Sequence, residues 1–322
     1  MEEMKGPEEY KGPVLITNMQ RWSINDGPGI RTKAFIKGCP LDCLWCHNPE
    51  CKKEGYEIYW KRLLCVQCGL CLAVCPNDAI NPPIPIDEAQ DDDSTYFKII
   101  KDKCDLCMKC VEVCPYEALV KIGDEVSVEE VLREAERDMP FYIRSGGGMT
   151  ISGGEPTTRP DYVMELLKGG KERSLNICLD TTGYCEWELL EKMAKYVDIF
   201  LFDLKHMDTS EHKRLTNVGN ELILENLSKL AAIGAKVRIR IPIVPDYNDS
   251  IEHTEEVAKF VESLASPPEA VDLLPFHNWC QEKYRNLGEE WELTDTQALE
   301  NIELEPLKEV LEAHNIVSTI GG

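Results

Sequence analysis

The distribution of apolar and polar positions separates a long region of alternating helices and strands from a shorter region without that alternation. Short apolar runs predict strands, and the stretches between them predict helices. The strands are predicted at residues 34–38, 149–152, 176–180, 198–204, 236–244 and 270–274, and the helices at residues 127–138, 161–168, 187–195, 221–233, 250–264 and 304–314. Ser127 followed by Glu130 is a capping box, which marks the start of the first helix.

Strands that alternate with helices at this spacing indicate βαβ units and a parallel sheet. The nearly continuous apolar run at residues 199–202 is typical of a strand covered by helices on both faces. Six such strands suit an open barrel or a doubly wound sheet. The predicted fold class is therefore α/β.

Residues 51–122 differ in character from the rest of the chain. They contain two dense cysteine runs, two Cys-Pro pairs and a proline-rich, acidic stretch at residues 81–93. We interpret this segment as a small inserted domain. The predicted domains are then residues 1–50 and 123–322, which together form the main domain, and residues 51–122, which form the insert.

The insert contains the cysteine spacing of bacterial ferredoxins twice, and each run ends in Cys-Pro. In that spacing the fourth cysteine of each run binds the cluster of the other run. The predicted ligands are Cys65, Cys68, Cys71 and Cys114 for one [4Fe-4S] cluster, and Cys75, Cys104, Cys107 and Cys110 for the second. Four-cysteine zinc sites are the alternative, but they need neither a third close cysteine nor the proline. Two clusters indicate electron relay, with a purely structural role as the alternative.

Composition excludes several classes of function. The 322 residues carry a net charge of −23, which nucleic acid would repel. There is no apolar run of about 18 residues, and residues 1–6 do not resemble a secretory signal. We therefore expect a cytoplasmic protein with no membrane or nucleic-acid partner. The fifteen cysteines, mostly at tight spacings, favour clusters over disulfides.

A third cysteine group, Cys39, Cys43 and Cys46, follows the first predicted strand with the spacing CxxxCxxC and no obvious fourth partner. Three thiolates on a four-iron cluster leave one iron open, and an open position distinguishes catalytic metal sites from structural ones. The second motif, residues 152–156 (Ser-Gly-Gly-Glu-Pro), ends a predicted strand. Glycines there suit a close approach of the backbone to a ligand.

These two motifs together resemble the radical S-adenosylmethionine (SAM) superfamily. The resemblance implies a partial (β/α)6 radical SAM barrel, here with an inserted small α+β bacterial-ferredoxin-like domain. It also implies that the open iron binds SAM, and that one electron cleaves SAM to methionine and a 5′-deoxyadenosyl radical. The chain would then carry three [4Fe-4S] clusters.

The segments at residues 23–31, 145–148, 203–205 and 274–277 narrow the resemblance to the activating enzymes of glycyl radical enzymes. The version with a two-cluster insert is similar to the activases of benzylsuccinate synthase, glycerol dehydratase, choline lyase and arylacetate decarboxylases. The implied activity is the abstraction of a hydrogen from a backbone glycine of a partner enzyme. The implied electron donor is flavodoxin or ferredoxin. The C-terminal residues 318–322 and the two-cluster insert favour the benzylsuccinate or alkylsuccinate synthase group.

The resemblance also assigns roles to individual residues. Cys39, Cys43 and Cys46 would be the catalytic cluster ligands. SAM would be bound by a set that comprises Trp45, Cys46, His47, Gly153, Gly154, Glu155, Asp180, Asp203, Leu204, Lys205, His206, Arg240 and His277. Within this set Gly154 and Glu155 would meet the amino group, Lys205 the carboxylate, and His277 the adenosine. Asp180, Thr181 and Asp203 could bind a monovalent cation near the carboxylate.

Several features stay outside this scheme. Cys51, Cys178, Cys185 and Cys280 fit no cluster pattern; Cys51 is a candidate extra ligand, and Cys178 is expected to be a small core residue. One alternative function is a radical SAM enzyme that acts on a small molecule. The other is a ferredoxin-type electron-transfer protein without catalysis.

Overall fold

The computed structural model describes residues 12–91 and 94–321, and its main element is a nine-stranded sheet. The strands are β1 (Leu15–Ser23), β2 (Arg31–Ile36), β3 (Glu57–Trp60), β4 (Leu119–Ile122), β5 (Asp124–Glu125), β6 (Gly148–Gly153), β7 (Ile177–Thr181), β8 (Ile199–Asp203), β9 (Val237–Ile243), β10 (Ala270–Pro275) and β11 (Ser318–Ile320). The large sheet has the order β11-β10-β9-β8-β7-β6-β2-β1-β5. All pairs from β2 to β11 are parallel, whereas β1 pairs antiparallel with both β2 and β5.

Twelve α-helices connect and cover these strands within the described residues. They are α1 (Leu70–Val74), α2 (Ile86–Gln90), α3 (Lys109–Glu112), α4 (Val128–Glu136), α5 (Met139–Ser145), α6 (Pro160–Glu172), α7 (Trp187–Ala194), α8 (Thr209–Thr216), α9 (Glu221–Ala232), α10 (Ile251–Glu262), α11 (Gln281–Leu287) and α12 (Glu305–Ala313). The Ser127 capping box is confirmed, because the Ser127 hydroxyl accepts from the Glu130 amide and the Glu130 carboxylate accepts from the Ser127 amide.

The six predicted strands correspond to β2 and β6–β10, and the six predicted helices to α4, α6, α7, α9, α10 and α12. The partial (β/α)6 architecture is therefore confirmed, with a seventh parallel strand, β11, added at one edge. The main core fills the space between the sheet and its helices, with fully buried residues such as Ile151, Leu179, Phe202 and Leu227. The sequence did not predict β1, α5, α8 or α11.

The cysteine-rich segment forms its own two-stranded sheet, β3 with β4, and its own small core around Ile58, Trp60 and Leu119. Both strands lie inside the predicted insert. We propose residues 51–122 as the boundaries of the inserted domain, and residues 1–50 and 123–322 as the two parts of the main domain. Residues 1–11, 92, 93 and 322 lie outside the described part of the chain.

Candidate active site

The carboxyl ends of the parallel strands surround a cavity of about 440 Å³. Active sites of parallel α/β folds gather at this end of the sheet, because the loops that leave the strands converge there. The wall includes most of the predicted site: Cys39, Cys43, Trp45, Cys46, His47, Gly153, Gly154, Asp180, Thr181, Asp203, Lys205, Arg240 and His277. Residues far apart in the sequence thus form one site.

The loop with Cys39, Cys43 and Cys46 follows β2 and is held by backbone hydrogen bonds on two sides. The Cys39 amide donates to the carbonyl of Lys52 (2.9 Å), and the Leu44 amide donates to the carbonyl of Leu215 at the end of α8 (3.0 Å). These bonds satisfy backbone groups of an irregular segment that is largely removed from water. The loop therefore presents its three thiols to the cavity from a fixed backbone.

The three thiols fit an iron–sulfur cluster better than a single ion. Burial raises the pKa of each thiol, for Cys43 to about 12, so without a positive partner they stay protonated. A bound metal deprotonates such thiols. Across residues 12–91 and 94–321, no group of three His, Cys, Asp or Glu side chains is arranged to hold one metal ion. A wide cavity lined by three thiols suits an iron–sulfur cluster, which is larger than a single metal ion.

Gly153 and Gly154 hold the cysteine loop against the end of β6. A Cβ atom on Gly153, where φ is +129°, would lie 2.1 Å from the carbonyl oxygen of Ile36. A Cβ atom on Gly154 would lie 2.3 Å from the carbonyl oxygen of Gly38 and 2.4 Å from that of Cys51. The glycines thus allow two stretches of backbone to approach each other, in addition to lining the cavity.

Glu155 lies behind the cavity wall rather than on it. Its fully buried carboxylate accepts five hydrogen bonds, from the amides and hydroxyls of Thr157 and Thr182 and from the Thr181 hydroxyl. Burial raises the pKa of this carboxyl group, and the hydrogen bonds oppose that shift. In this structure Glu155 fixes the end of β7 and the start of the next loop, where the cavity residues Thr181 and Thr182 lie.

Charged side chains form a paired group on the cavity wall. The Lys205 ammonium donates to Asp203 at 2.9 Å; burial acts to lower the pKa of Lys205, but the charge and hydrogen bond of Asp203, together with Cys43 and Asp180, raise it. Asp180 lies 3.2 Å from the Lys33 ammonium and 3.5 Å from the Arg240 guanidinium. Burial acts to raise the pKa of Asp180, yet these two cations hold it at about 2. Asp180 is therefore an anion at neutral pH, and Lys205 is a cation.

Three stacked rings form another part of the wall. The ring centroids of His47 and His277 are 4.0 Å apart, and those of His277 and Trp279 are 4.4 Å apart. Burial lowers the pKa of His47 to about 3 and also lowers that of His277, so both imidazoles are neutral. The buried nitrogens His47 Nε2, His277 Nδ1 and Trp45 Nε1 have no hydrogen-bond partner within the described protein. Unpaired buried polar atoms of wall residues fit a site that binds a polar ligand.

The structure leaves two other predicted residues away from the wall. Leu204 is fully buried in the main core. His206 packs against His253, at 4.6 Å between ring centroids, and its Nδ1 accepts from the Asp208 amide. Cys51 also lies apart from the cavity lining and is hydrogen-bonded to the Thr17 hydroxyl at 3.0 Å. Cys178 is fully buried beside Ile199 and Leu201, as expected for a small core residue.

Sequence reasoning missed Lys33, Asn25, Lys52 and Trp279, which all line the cavity. Lys33 had a detectable signal, since it is a charged residue next to the apolar run of β2. Trp279 had none, because its place on the wall depends on stacking against His277, and Asn25 and Lys52 reach the wall through loops.

In the insert, two smaller cavities gather the eight other cysteines that the sequence predicts as cluster ligands. One is lined by Cys65, Cys68, Cys71 and Cys114, and the other by Cys75, Cys104, Cys107 and Cys110. These are the two predicted ligand sets, including the exchange of the fourth cysteine between the runs. The short helices α1 and α3 carry the middle of each run and pack against each other.

Comparison with known proteins agrees with this geometry. Residues 108–261 match the radical SAM superfamily, and residues 64–118 match the 4Fe-4S dicluster domain. The benzylsuccinate synthase activating enzyme of Thauera aromatica is 40% identical over 313 residues, which cover 96% of this chain and 92% of that protein. The choline trimethylamine-lyase activating enzyme of Oleidesulfovibrio alaskensis is 36% identical over 296 residues, which cover 91% and 93%.

The chain belongs to the activating enzymes of glycyl radical enzymes. It is thus a radical SAM oxidoreductase with iron–sulfur clusters, and the sequence-based assignment of family, fold class and general function is confirmed. A domain of a pyruvate-formate lyase-activating enzyme from Bacteroides vulgatus is 29% identical, covers 55% of this chain and 100% of that chain, and has a TM-score of 0.48. Among the helices described for this activating enzyme, none is long and apolar enough to span a membrane.

Proposed function

We propose that the chain holds three [4Fe-4S] clusters, with the Cys39–Cys43–Cys46 cluster at the active site and two relay clusters in the insert. When bound, the reduced active-site cluster supplies the electron that cleaves SAM to methionine and the 5′-deoxyadenosyl radical, which takes a hydrogen atom from a glycine of the partner. The supporting observation is the convergence of the three thiols, the paired charges and the unpaired ring nitrogens on one cavity.

The protein's own groups bind and orient SAM. Lys205, held by Asp203, offers a buried ammonium to the carboxylate of the methionine moiety, and charge-assisted hydrogen bonds of this kind are strong. Gly153 and Gly154 bring backbone close to the amino group. The neutral rings of His47 and His277 offer a flat surface and free nitrogens to the adenosine. No side chain needs to act as acid or base, since the cofactor carries the chemistry.

The sequence predicts a monovalent cation beside the SAM carboxylate, with Asp180, Thr181 and Asp203 as its candidate ligands. All three residues line the cavity. Lys33 and Arg240, however, already pair with Asp180.

The insert's contacts with the active-site loop support an electron relay. Helix α11 packs on β3 of the insert and on the short 3-10 helix Pro49–Cys51 behind the cysteine loop. From this helix the Tyr284 hydroxyl donates to the carbonyl of Cys46 (3.1 Å), and Lys283 donates to the carbonyl of His47 (3.0 Å). Glu289, just past α11, pairs with Lys101 of the insert (2.8 Å). We propose that flavodoxin or ferredoxin delivers the electron to the insert.

The partner is proposed to be a glycyl radical enzyme of the kind served by the relatives, such as a benzylsuccinate or alkylsuccinate synthase, a glycerol dehydratase or a choline lyase. The named relatives activate different enzymes at similar identity, so the partner's subclass rests on the C-terminal segment and the two-cluster insert. Ser318–Ile320 forms β11, and Gly321 behind it lines the cavity, which supports a contribution of this segment to the site.

The decisive experiment is anaerobic purification and reconstitution, followed by iron counting and an assay of SAM cleavage with dithionite. We expect about twelve irons per chain, the sum of three four-iron clusters, together with 5′-deoxyadenosine. Mixing with a candidate partner should give a glycyl radical signal in electron paramagnetic resonance. About eight irons without cleavage would leave an electron carrier, and cleavage without a radical on any candidate partner would favour a small-molecule substrate.

A further inference from the structure

Lys33 is a buried ammonium on the wall of the active-site cavity. It lies in β2, opposite Thr150 of β6, and its side chain is only 9% exposed. Its Nζ atom donates to Asp26 at 2.5 Å and to Asp180 at 3.2 Å. Burying a lysine is unfavourable unless it is paired, and here two carboxylates pair with it.

Both carboxylate oxygens of Asp180 lie next to a hydrogen-bond donor or a cation. Its Oδ2 accepts from the Ser152 hydroxyl (2.7 Å) and from Lys33, and its Oδ1 lies 3.5 Å from Arg240. Arg240 is also 3.9 Å from Asp26. The carboxylates of Asp26 and Asp180 and the cations Lys33 and Arg240 therefore form one buried group in which each negative charge is matched by a positive one. A metal ion bound to Asp180 would lie beside two like charges, which is unfavourable at such distances.

We propose that Lys33 takes the place of a monovalent metal ion in this cavity. Its ammonium group supplies the positive charge between Asp180 and the carboxylate of SAM. SAM binding to this protein then needs no alkali metal ion. The inference rests on the proposed binding of SAM in this cavity. The metal ion of the sequence-based prediction is thereby replaced by Lys33, whose ammonium group pairs with the Asp180 carboxylate.

The alternative for Lys33 is a purely structural ion pair with Asp26. The two roles differ in what a lost lysine would do. If Lys33 is a substitute cation, its removal leaves a negatively charged pocket that an added alkali ion can fill. If Lys33 is purely structural, its removal lowers the stability of the protein by the same amount in every salt.

The test measures SAM affinity by calorimetry on anaerobically reconstituted protein, in tetramethylammonium chloride and in potassium chloride at equal ionic strength. Wild-type affinity should agree within about twofold between the salts. Lys33→Met, which keeps the side-chain length without the charge, should bind SAM about tenfold more weakly in tetramethylammonium and recover in potassium. Lys33→Arg should stay independent of potassium. Lys171→Met, which breaks a surface pair with Asp198 far from the cavity, is the matched control.

A second measurement follows the midpoint of thermal unfolding without SAM. Potassium should raise the midpoint of Lys33→Met relative to tetramethylammonium, because a bound ion stabilises the folded state, and it should leave wild type unchanged. A wild type that binds SAM only with potassium would overturn the proposal, as would a Lys33→Met protein that is equally weak, or equally tight, in both salts. Should Lys33→Met not fold, a potassium requirement in wild type or in Lys33→Arg would still overturn it. If wild type binds no SAM in either salt, the proposed function itself fails.

Discussion

The buried Lys37 ammonium donates to the Glu57 carboxylate at 2.5 Å and so joins the end of β2 to the first strand of the insert. Lys37 is fully buried and also donates to the carbonyl of Glu50 (2.6 Å). The pair lies beneath the cysteine loop, two residues before Cys39. It therefore connects the stability of the insert with the position of the loop that carries Cys39, Cys43 and Cys46.

Replacing Lys37 by Met should destabilise the protein by about 3 kcal/mol, since the Glu57 carboxylate loses its buried partner and keeps only the exposed Lys53, 3.2 Å away. The midpoint of thermal unfolding should fall by several degrees. Lys121→Met, which breaks an exposed pair with Asp124, is the control and should change little. An equal, small effect of both variants would show that the buried pair does not hold the two domains together.

Cys43→Ala should abolish SAM cleavage and reduce the iron content from about twelve to about eight per chain, because the active-site cluster loses one of three ligands. Iron analysis and the yield of 5′-deoxyadenosine measure this. Cys185→Ala, which changes a half-buried cysteine outside the predicted ligand sets, should keep both values. Retained cleavage in Cys43→Ala would contradict the site assignment.

Cys107→Ala should separate the two proposed roles of the insert. Its cluster loses a ligand, so electrons from flavodoxin or ferredoxin should no longer reach the active site, whereas dithionite should still reduce the active-site cluster directly. Cleavage is measured with each reductant. If both reductants support cleavage as in wild type, the insert clusters are structural; if both fail while the active-site cluster persists, the relay interpretation is also wrong.

Trp279→Ala should weaken partner activation without weakening SAM cleavage. The ring is 80% exposed at the wall of the cavity, where a docked partner segment would cover it, and buried tryptophans dominate many interfaces. We expect KM for the partner to rise about tenfold or more, with the uncoupled cleavage rate unchanged. Ile302→Ala, at an exposed site in the short 3-10 helix Asn301–Leu304, is the control. An unchanged KM would exclude Trp279 from the docking surface.

His253 should make folding stability fall as the pH falls below neutrality. Burial, and then the neighbouring His206, lower the pKa of His253 to about 4, while the unfolded chain titrates near 6.5. As the pH falls, the unfolded state takes up the proton before the folded state does. The stabilising contribution of neutral His253 is therefore fully present above pH 6.5 and is lost as the pH falls from 6.5 to 4. Between pH 6.5 and 5.5 wild type should lose about 1 kcal/mol that His253→Asn does not lose.

His314 is the matched control for this pH dependence. Glu262 and Glu255 raise the pKa of His314 at the surface, so its contribution is present at low pH and is lost as the pH rises through the raised pKa. His314→Asn should therefore change the pH slope in the opposite direction to His253→Asn. Thermal unfolding midpoints at several pH values measure both, and equal slopes for the two variants would contradict the assignment.

Local patterns in the sequence were sufficient for six of the parallel strands and their helices, for the family and for the cysteine groups. Most of the parallel strands contain a short apolar run next to a helix, and the alternation of the two depends on neighbouring residues alone. The spacing of the eight insert cysteines likewise predicted how they are shared between two cavities, because short turns bring residues three apart to one point.

Tertiary structure decided what depends on contacts between distant residues. It placed Glu155 behind the wall, where Thr157, Thr181 and Thr182 use its whole carboxylate, although the motif alone predicted a ligand contact. It brought Lys33 to Asp180, which is 147 positions away, and Tyr284 to Cys46, which is 238 positions away. Such pairings arise from the order of strands in the sheet and from the packing of α11, and no local pattern carries that information.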